Sequence, residues 1–182
     1  VYNEMKGAMS APTSVLWQKI TAYLLPDTTY RHNSGGDPAD IPDLDYAGLK
    51  AFYQQYYHPT NAVFMTFGSM DVAKLHEQFE SLVLHRFDYQ PEYITTIASQ
   101  KPFAAPLSVT CAYAAVQEKD QTHIVSAWVL GENHVIEDVL LASLVADALL
   151  DHSGCPLMAE LESTTLAKLP SPLCGVSDDC KQ

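Results

Sequence analysis

Between Asp88 and Pro106 the chain loses hydrophobic periodicity and gathers Pro91, Pro102 and Pro106. Proline fixes φ and carries no amide hydrogen, so neither a helix nor a central strand runs through such a stretch. The sequence is therefore expected to fold as two blocks, with this stretch as the best candidate for a domain linker. Its 182 residues suffice for one ordinary domain or for parts of two. With 47% hydrophobic and 18% charged residues, the composition is that of a chain able to bury a core and not of a disordered tail.

Ahead of the linker, Val15, Leu16, Ile20, Tyr23 and Leu24 recur at three- and four-residue spacing, which predicts an amphipathic helix over 14–25 between Pro12 and Pro26. A polar turn region, 30–38, follows. Asp45 is placed to cap a second helix bearing Leu49, Phe52, Tyr53 and Tyr56, which His58-Pro59 ends. Residues 62–68 are short, β-prone and bounded by turn residues, and read as a buried strand. Asp71 then caps a helix with Leu75, Phe79, Leu82 and Val83 on one side. Beyond the linker come two expected strands, 107–115 and 123–130, joined by a charged turn at Gln117-Glu118-Lys119-Asp120. A strongly apolar helix over 135–150, a break at Ser153-Gly154 and a shorter helix around 157–162 complete the pattern. This order predicts an α+β fold, with helices packed on one face of a largely antiparallel sheet. Trp17 and Trp128 sit on apolar faces and are expected in the core.

The formal net charge of −12 would repel phosphate backbones and anionic headgroups, which argues against nucleic acid and membrane surfaces as partners. The longest apolar run, Val139 to Leu150, is too short to span a bilayer. Cys111, Cys155, Cys174 and Cys180 form no C-x-x-C pair, so reduced thiols of an intracellular protein are expected, with a Cys174–Cys180 bridge left open. Val1 is neither an initiator methionine nor the start of a signal peptide. The chain opens inside what reads as a helix, as a piece of a longer protein would.

A hydrolytic zinc site needs about three imidazole or carboxylate ligands, an open position for water and a nearby base. His76-Glu77-Gln78-Phe79-Glu80 approaches H-E-x-x-H, and His134-Val135-Ile136-Glu137-Asp138 approaches H-x-x-E-H, but each lacks its second histidine. His76 then reads as part of a solvated helix face and His134 as a helix start. No G-x-S-x-G elbow is present, and Gly35-Gly36 lacks the Lys-Ser/Thr of a phosphate loop. Cys155, with His152 nearby and Pro156 after it, reads as a buried helix-end thiol and not as a nucleophile.

An ordered series of short segments rises above this background. It runs from Tyr2-Asn3-Glu4-Met5-Lys6-Gly7-Ala8 through Leu25-Pro26-Asp27-Thr28-Thr29-Tyr30, Ser34-Gly35-Gly36-Asp37-Pro38 and Ile41-Pro42-Asp43-Leu44. It continues with Leu49-Lys50-Ala51-Phe52, Tyr57-His58-Pro59-Thr60-Asn61-Ala62 and Pro170-Ser171-Pro172-Leu173-Cys174-Gly175. In this order the segments resemble the presequence proteases of the pitrilysin/insulinase family of zinc metallopeptidases.

The resemblance implies that residues 1–100 are the C-terminal part of a first, zinc-binding domain, and that 101–182 begin a second, homologous one. It implies zinc as cofactor, with Glu4 matching the distal glutamate ligand and Asn3 and Lys6 flanking it as candidate supporting groups. Ser34, Gly35 and Gly36 would line the cleft, where glycine lets a peptide backbone approach. The two histidines and the base of the family's H-x-x-E-H would lie upstream of Val1, so no catalytic residue is expected in this chain and it should be inactive alone. Relatives are clamshells that enclose short unstructured peptides and cut them with zinc-activated water. The partners implied are such peptides and the rest of the same polypeptide, in a bacterial cytoplasm or an organelle matrix. One alternative is a non-catalytic structural or partner subunit of the same fold; another is a small independent α+β binding module.

Overall fold

The computed structural model describes all residues except 116–118, 169, 172 and 182. The Gln117-Glu118 turn and Pro172 of the last matching segment therefore lie outside the described residues. The chain divides into two units: one is Val1–Asp37 together with Ile97–Gln182, and the other is Pro38–Thr96.

The first unit holds α1 (Tyr2–Ala8), α2 (Pro12–Leu24), α5 (Ile136–Leu150) and α6 (Pro156–Ser163). Pro12 opens α2, where its missing amide hydrogen costs nothing. The helix runs into a 3-10 turn at Thr29–Arg31. Thr28 joins the two, donating its hydroxyl to Leu25 O at 3.1 Å and accepting Tyr30 N at 3.2 Å. Leu25, Thr21 and Thr28 are buried here, as is Gln100, which clasps Asp27 from the far side of the sequence. The α5–α6 hairpin closes on buried Cys155, the residue before α6, whose thiol donates to Asp147 O at 3.4 Å. That is the helix-end position expected for this thiol.

The second unit holds α3 (Tyr46–Tyr56) and α4 (Val72–Leu82). Both start where a carboxylate can serve the free amides of a first turn. Asp45 Oδ1 accepts Gly48 N at 2.6 Å, and Asp71 Oδ1 accepts Lys74 N at 3.1 Å.

The expected α+β fold, with its antiparallel sheet and helices on one face, is not what forms. Among the described residues every regular element is helical, and residues 62–68, 107–115 and 123–130 carry no strand. A strand exists only when a neighbour completes its row of amides and carbonyls, and β-prone composition supplies no such neighbour. Residues 62–68 fall in one unit and the other two segments in the other. Instead of pairing, 62–68 leans Phe64 on Phe79 of α4, ring centroids 5.8 Å apart, and leaves Val63 and Phe67 each 97% exposed. The segments flanking residue 120 meet through side chains: Tyr113 stacks edge-on against His123 at 5.8 Å, and its hydroxyl donates to Gln121 O.

A further expectation is corrected. Trp17 and Trp128 are exposed, Trp128 by 74%, because neither helix α2 nor the 123–130 segment has a second layer laid over that side. The helix α5, strongly apolar beyond Glu137 and Asp138, leaves Leu140, Leu141, Leu144 and Val145 exposed. All four cysteines are free thiols, so Cys174 and Cys180 do not bridge.

Candidate functional site

Glu4 lies in the first turn of α1, exposed, with Asn3 and Lys6 exposed on either side of it. The helix has an acid near its N-terminus and a base near its C-terminus, the arrangement its dipole favours. Below this charged face, Met5 and Met9 point the other way and are half-buried. They rest on the turn at 33–36, so the structure brings the Glu4 helix and the Ser34-Gly35-Gly36 loop together within one unit.

That turn is built by Asn33. Its carbonyl O accepts Gly36 N at 2.9 Å, and its side-chain Oδ1 accepts Gly35 N at 3.1 Å. Gly36 has φ 92°, a left-handed conformation that a side chain would strain. At Gly35 the constraint is space: a Cβ there would stand 2.7 Å from Met5 Cε and closer still to its sulfur. The Asn33 amide then reaches the helix, donating to Met9 Sδ at 3.4 Å. Sequence reasoning named the glycines but missed Asn33, Met5 and Met9, although an Asn two residues ahead of a Gly-Gly pair is a legible turn signal.

The charge and ligand types of α1 do not make a metal site. Among the described residues no group of three or more His, Cys, Asp and Glu could hold a metal ion. A catalytic zinc asks for about three protein ligands, and Glu4 offers one carboxylate, so the residues present do not by themselves fit the ion. His76 lies exposed on α4. His134 precedes α5, and its Nδ1 stands 3.0 Å from Glu132 Oε2. Glu132 also accepts the Ser99 hydroxyl, which is the main reason its carboxyl is held below the usual range, against a smaller opposing effect of burial.

In the second unit the segment Tyr57-His58-Pro59-Thr60-Asn61-Ala62 is the organising turn. His58 Nδ1 accepts Thr60 N at 3.2 Å, starting the 3-10 turn Pro59–Asn61. Thr60 Oγ1 accepts Gln90 N at 3.2 Å, and Asn61 Oδ1 accepts both Thr95 N and Thr95 Oγ1 at 2.9 Å. The His58 ring sits edge-on to Phe87 at 5.3 Å and to Tyr93 at 4.8 Å. Beside it opens a cleft of about 440 Å³ lined by Tyr53, Tyr56, Tyr57, Phe64 and Phe87 among others. No helix among the described residues is long and apolar enough to cross a membrane.

Residues 43–168 match the domain described as the peptidase M16 inactive domain, a stretch that takes in α3 to α6 and begins after Glu4 and the 33–36 turn. Over 94% of its length the chain is 34% identical to Protein HypA of Clostridium perfringens, and it covers 18% of that protein. It is 32% identical over 98% of its length to the mitochondrial presequence protease of Xenopus tropicalis, covering 18% of it. To presequence protease 1, chloroplastic/mitochondrial, of Arabidopsis thaliana it is 35% identical over 84% of its length, covering 14% of that protein. The chain thus spans less than a fifth of the length of these relatives. Matched across most of its residues by that domain, and similar along nearly its whole length to presequence proteases, the chain belongs to the M16 peptidase family.

Proposed function

We propose that this chain is part of a zinc-dependent endopeptidase that degrades short unstructured peptides, targeting presequences among them, inside a closed chamber. The observation that carries the reading is similarity to presequence proteases over 98% of the chain. In this reading residues 1–100 belong to a zinc-binding domain and 101–182 to the start of a second. Glu4 supplies one ligand, Asn3 and Lys6 flank it, and Ser34, Gly35 and Gly36 line the peptide cleft. The remaining ligands and the base come from elsewhere in the polypeptide, so the 182 residues alone neither hold zinc nor cleave. The partners are peptide substrates and the rest of the polypeptide, in a bacterial cytoplasm or an organelle matrix; the net charge of −12 speaks against nucleic acid.

The test is zinc content and peptide hydrolysis of the full-length parent, wild type beside Glu4→Gln. Loss of both in the variant is expected. Full zinc occupancy and activity in Glu4→Gln would overturn the assignment of Glu4. A second reading, a non-catalytic subunit of the same family, is favoured by the description of the matched domain as inactive. A parent that holds no zinc and cleaves no peptide before any substitution would establish it.

A further inference from the structure

We propose that Met5 and Met9 form an oxidation-sensitive clasp that holds α1 on the 33–36 turn. The two residues stand one turn apart, Met5 within α1 and Met9 capping its C-terminus, and the helix's other residues, from Tyr2 to Ala8, are all exposed. Both sulfurs face the turn: Met9 Sδ accepts the Asn33 amide at 3.4 Å, and Met5 Sδ and Cε lie over Gly35, in the space a side chain would need. Asn33 is fixed from its other end, because its Oδ1 accepts Gly35 N at 3.1 Å. The helix has 7 residues and no side-chain cap at its N-terminus, so it is too short to persist in water without this contact.

A peroxide delivers the change in one balanced step. The thioether sulfur attacks one peroxide oxygen, the O–O bond breaks and an S–O bond forms; the proton of the transferred oxygen passes to the departing hydroxide, which leaves as water, and sulfur is oxidised by two electrons as the peroxide is reduced by two. The product, methionine sulfoxide, is polar, and a thiol-driven reductase returns it to the thioether. At Met5 the added oxygen places a polar atom on the sulfur that lies over the Gly35 backbone. At Met9 the Asn33 amide meets an oxygen in place of the sulfur, so the contact lengthens by an S–O bond and the turn and α1 must move apart to keep it. Met5 and Met9 are half-buried as residues, and their sulfurs lie against the turn where the product matters. Oxidation therefore releases α1, and the reductase restores it. The inference concerns how α1 is held and stands whether or not Glu4 binds a metal.

The experiment is graded treatment of the protein with hydrogen peroxide, followed by peptide mass measurement and by two structural readouts. These are amide exchange over residues 2–9 and 33–36, and the rate at which trypsin cuts after Lys6. Met65, 88% exposed, is the internal reference for oxidant reaching the protein. The expected result is sulfoxide at Met5 and Met9 accompanied by a several-fold rise in exchange in both segments and faster cutting after Lys6. The paired Met5→Leu, Met9→Leu variant keeps the apolar contact without oxidisable sulfur and should show no rise. Sulfoxide at both positions with unchanged exchange and cutting would overturn the proposal, as would Met5 and Met9 left unoxidised when Met65 is fully converted. If the leucines loosen α1 by themselves, the wild-type comparison still decides, because it needs no substitution. Loss of zinc in Glu4→Gln would leave this result untouched, so the two readings fail separately.

Discussion

Gln100 and Asp27, 73 residues apart, meet through two hydrogen bonds: Asp27 N donates to Gln100 Oε1 and Gln100 Nε2 donates to Asp27 Oδ2, each at 2.9 Å. Gln100 also donates to Lys101 O at 3.0 Å and is only 7% exposed. Truncating it leaves a partly buried backbone amide without its acceptor, a loss of about 1–3 kcal/mol. Gln100→Ala is thus expected to lower the midpoint of denaturant unfolding. Gln100→Glu should also destabilise, because it keeps the acceptor but sets a carboxylate against Asp27. An unchanged midpoint in both would show that the clasp adds nothing.

The second unit depends in the same way on Asn61. Its amide donates to Tyr56 O at 3.1 Å while its carbonyl holds Thr95, so one side chain ties the end of α3 to the segment after the 3-10 turn at Pro91–Tyr93. Asn61→Ala should cost about 1–3 kcal/mol. Asn61→Asp keeps the acceptor for Thr95 and should cost less. Equal losses in the two variants would assign the effect to the Tyr56 bond alone.

Acid should weaken the first unit through Glu132. The Ser99 hydroxyl, with smaller help from Lys181 and His134, favours the carboxylate and lowers its pKa in the folded chain. A lowered folded value means that the stabilisation is complete above the ordinary glutamate range and is lost as pH falls through the depressed value. Ser99→Ala should move the Glu132 titration, followed by carboxyl NMR, upward. A titration that stays in place would remove Ser99 as the cause.

Thiol reactivity should follow burial. Cys155 is 6% exposed, and burial together with Asp179 pushes the Cys180 thiol up, which leaves less thiolate at neutral pH. In the folded protein, alkylation should be faster at exposed Cys111 and Cys174 than at Cys180, and slowest at Cys155. Labelling of Cys155 as fast as Cys111 would mean that the α5–α6 hairpin opens freely.

Helices were legible in the sequence because their signals are local. Asp45 and Asp71 announce the starts of α3 and α4 within four residues, and both carboxylates accept the amide expected of a cap. The β-prone segments mislead because a ladder depends on a partner that composition does not name. Phe64 therefore finds Phe79 and not a neighbouring strand. Gln100 was invisible for a related reason: nothing near it in sequence marks it as polar and buried, and its partner Asp27 lies on the other side of the second unit. Around Glu4 the sequence carried the family context and the glycines of the facing turn. The fit of Met5 over Gly35 depends on which way a side chain points from a helix of 7 residues, and periodicity in so short a segment does not say.

The first unit is discontinuous: Val1–Asp37 and Ile97–Gln182 belong together, and the second unit is one uninterrupted stretch between them. On a ribosome this fixes an order of events. The inserted stretch emerges complete and is free to settle at once, whereas Asp27, just after α2, waits through its synthesis for Gln100 to appear. During that interval Asp27 lacks its Gln100 partner, so this part of the first unit is secured only after the inserted stretch has been made. A pause in translation anywhere between residues 37 and 96 delays Gln100 and so prolongs that wait.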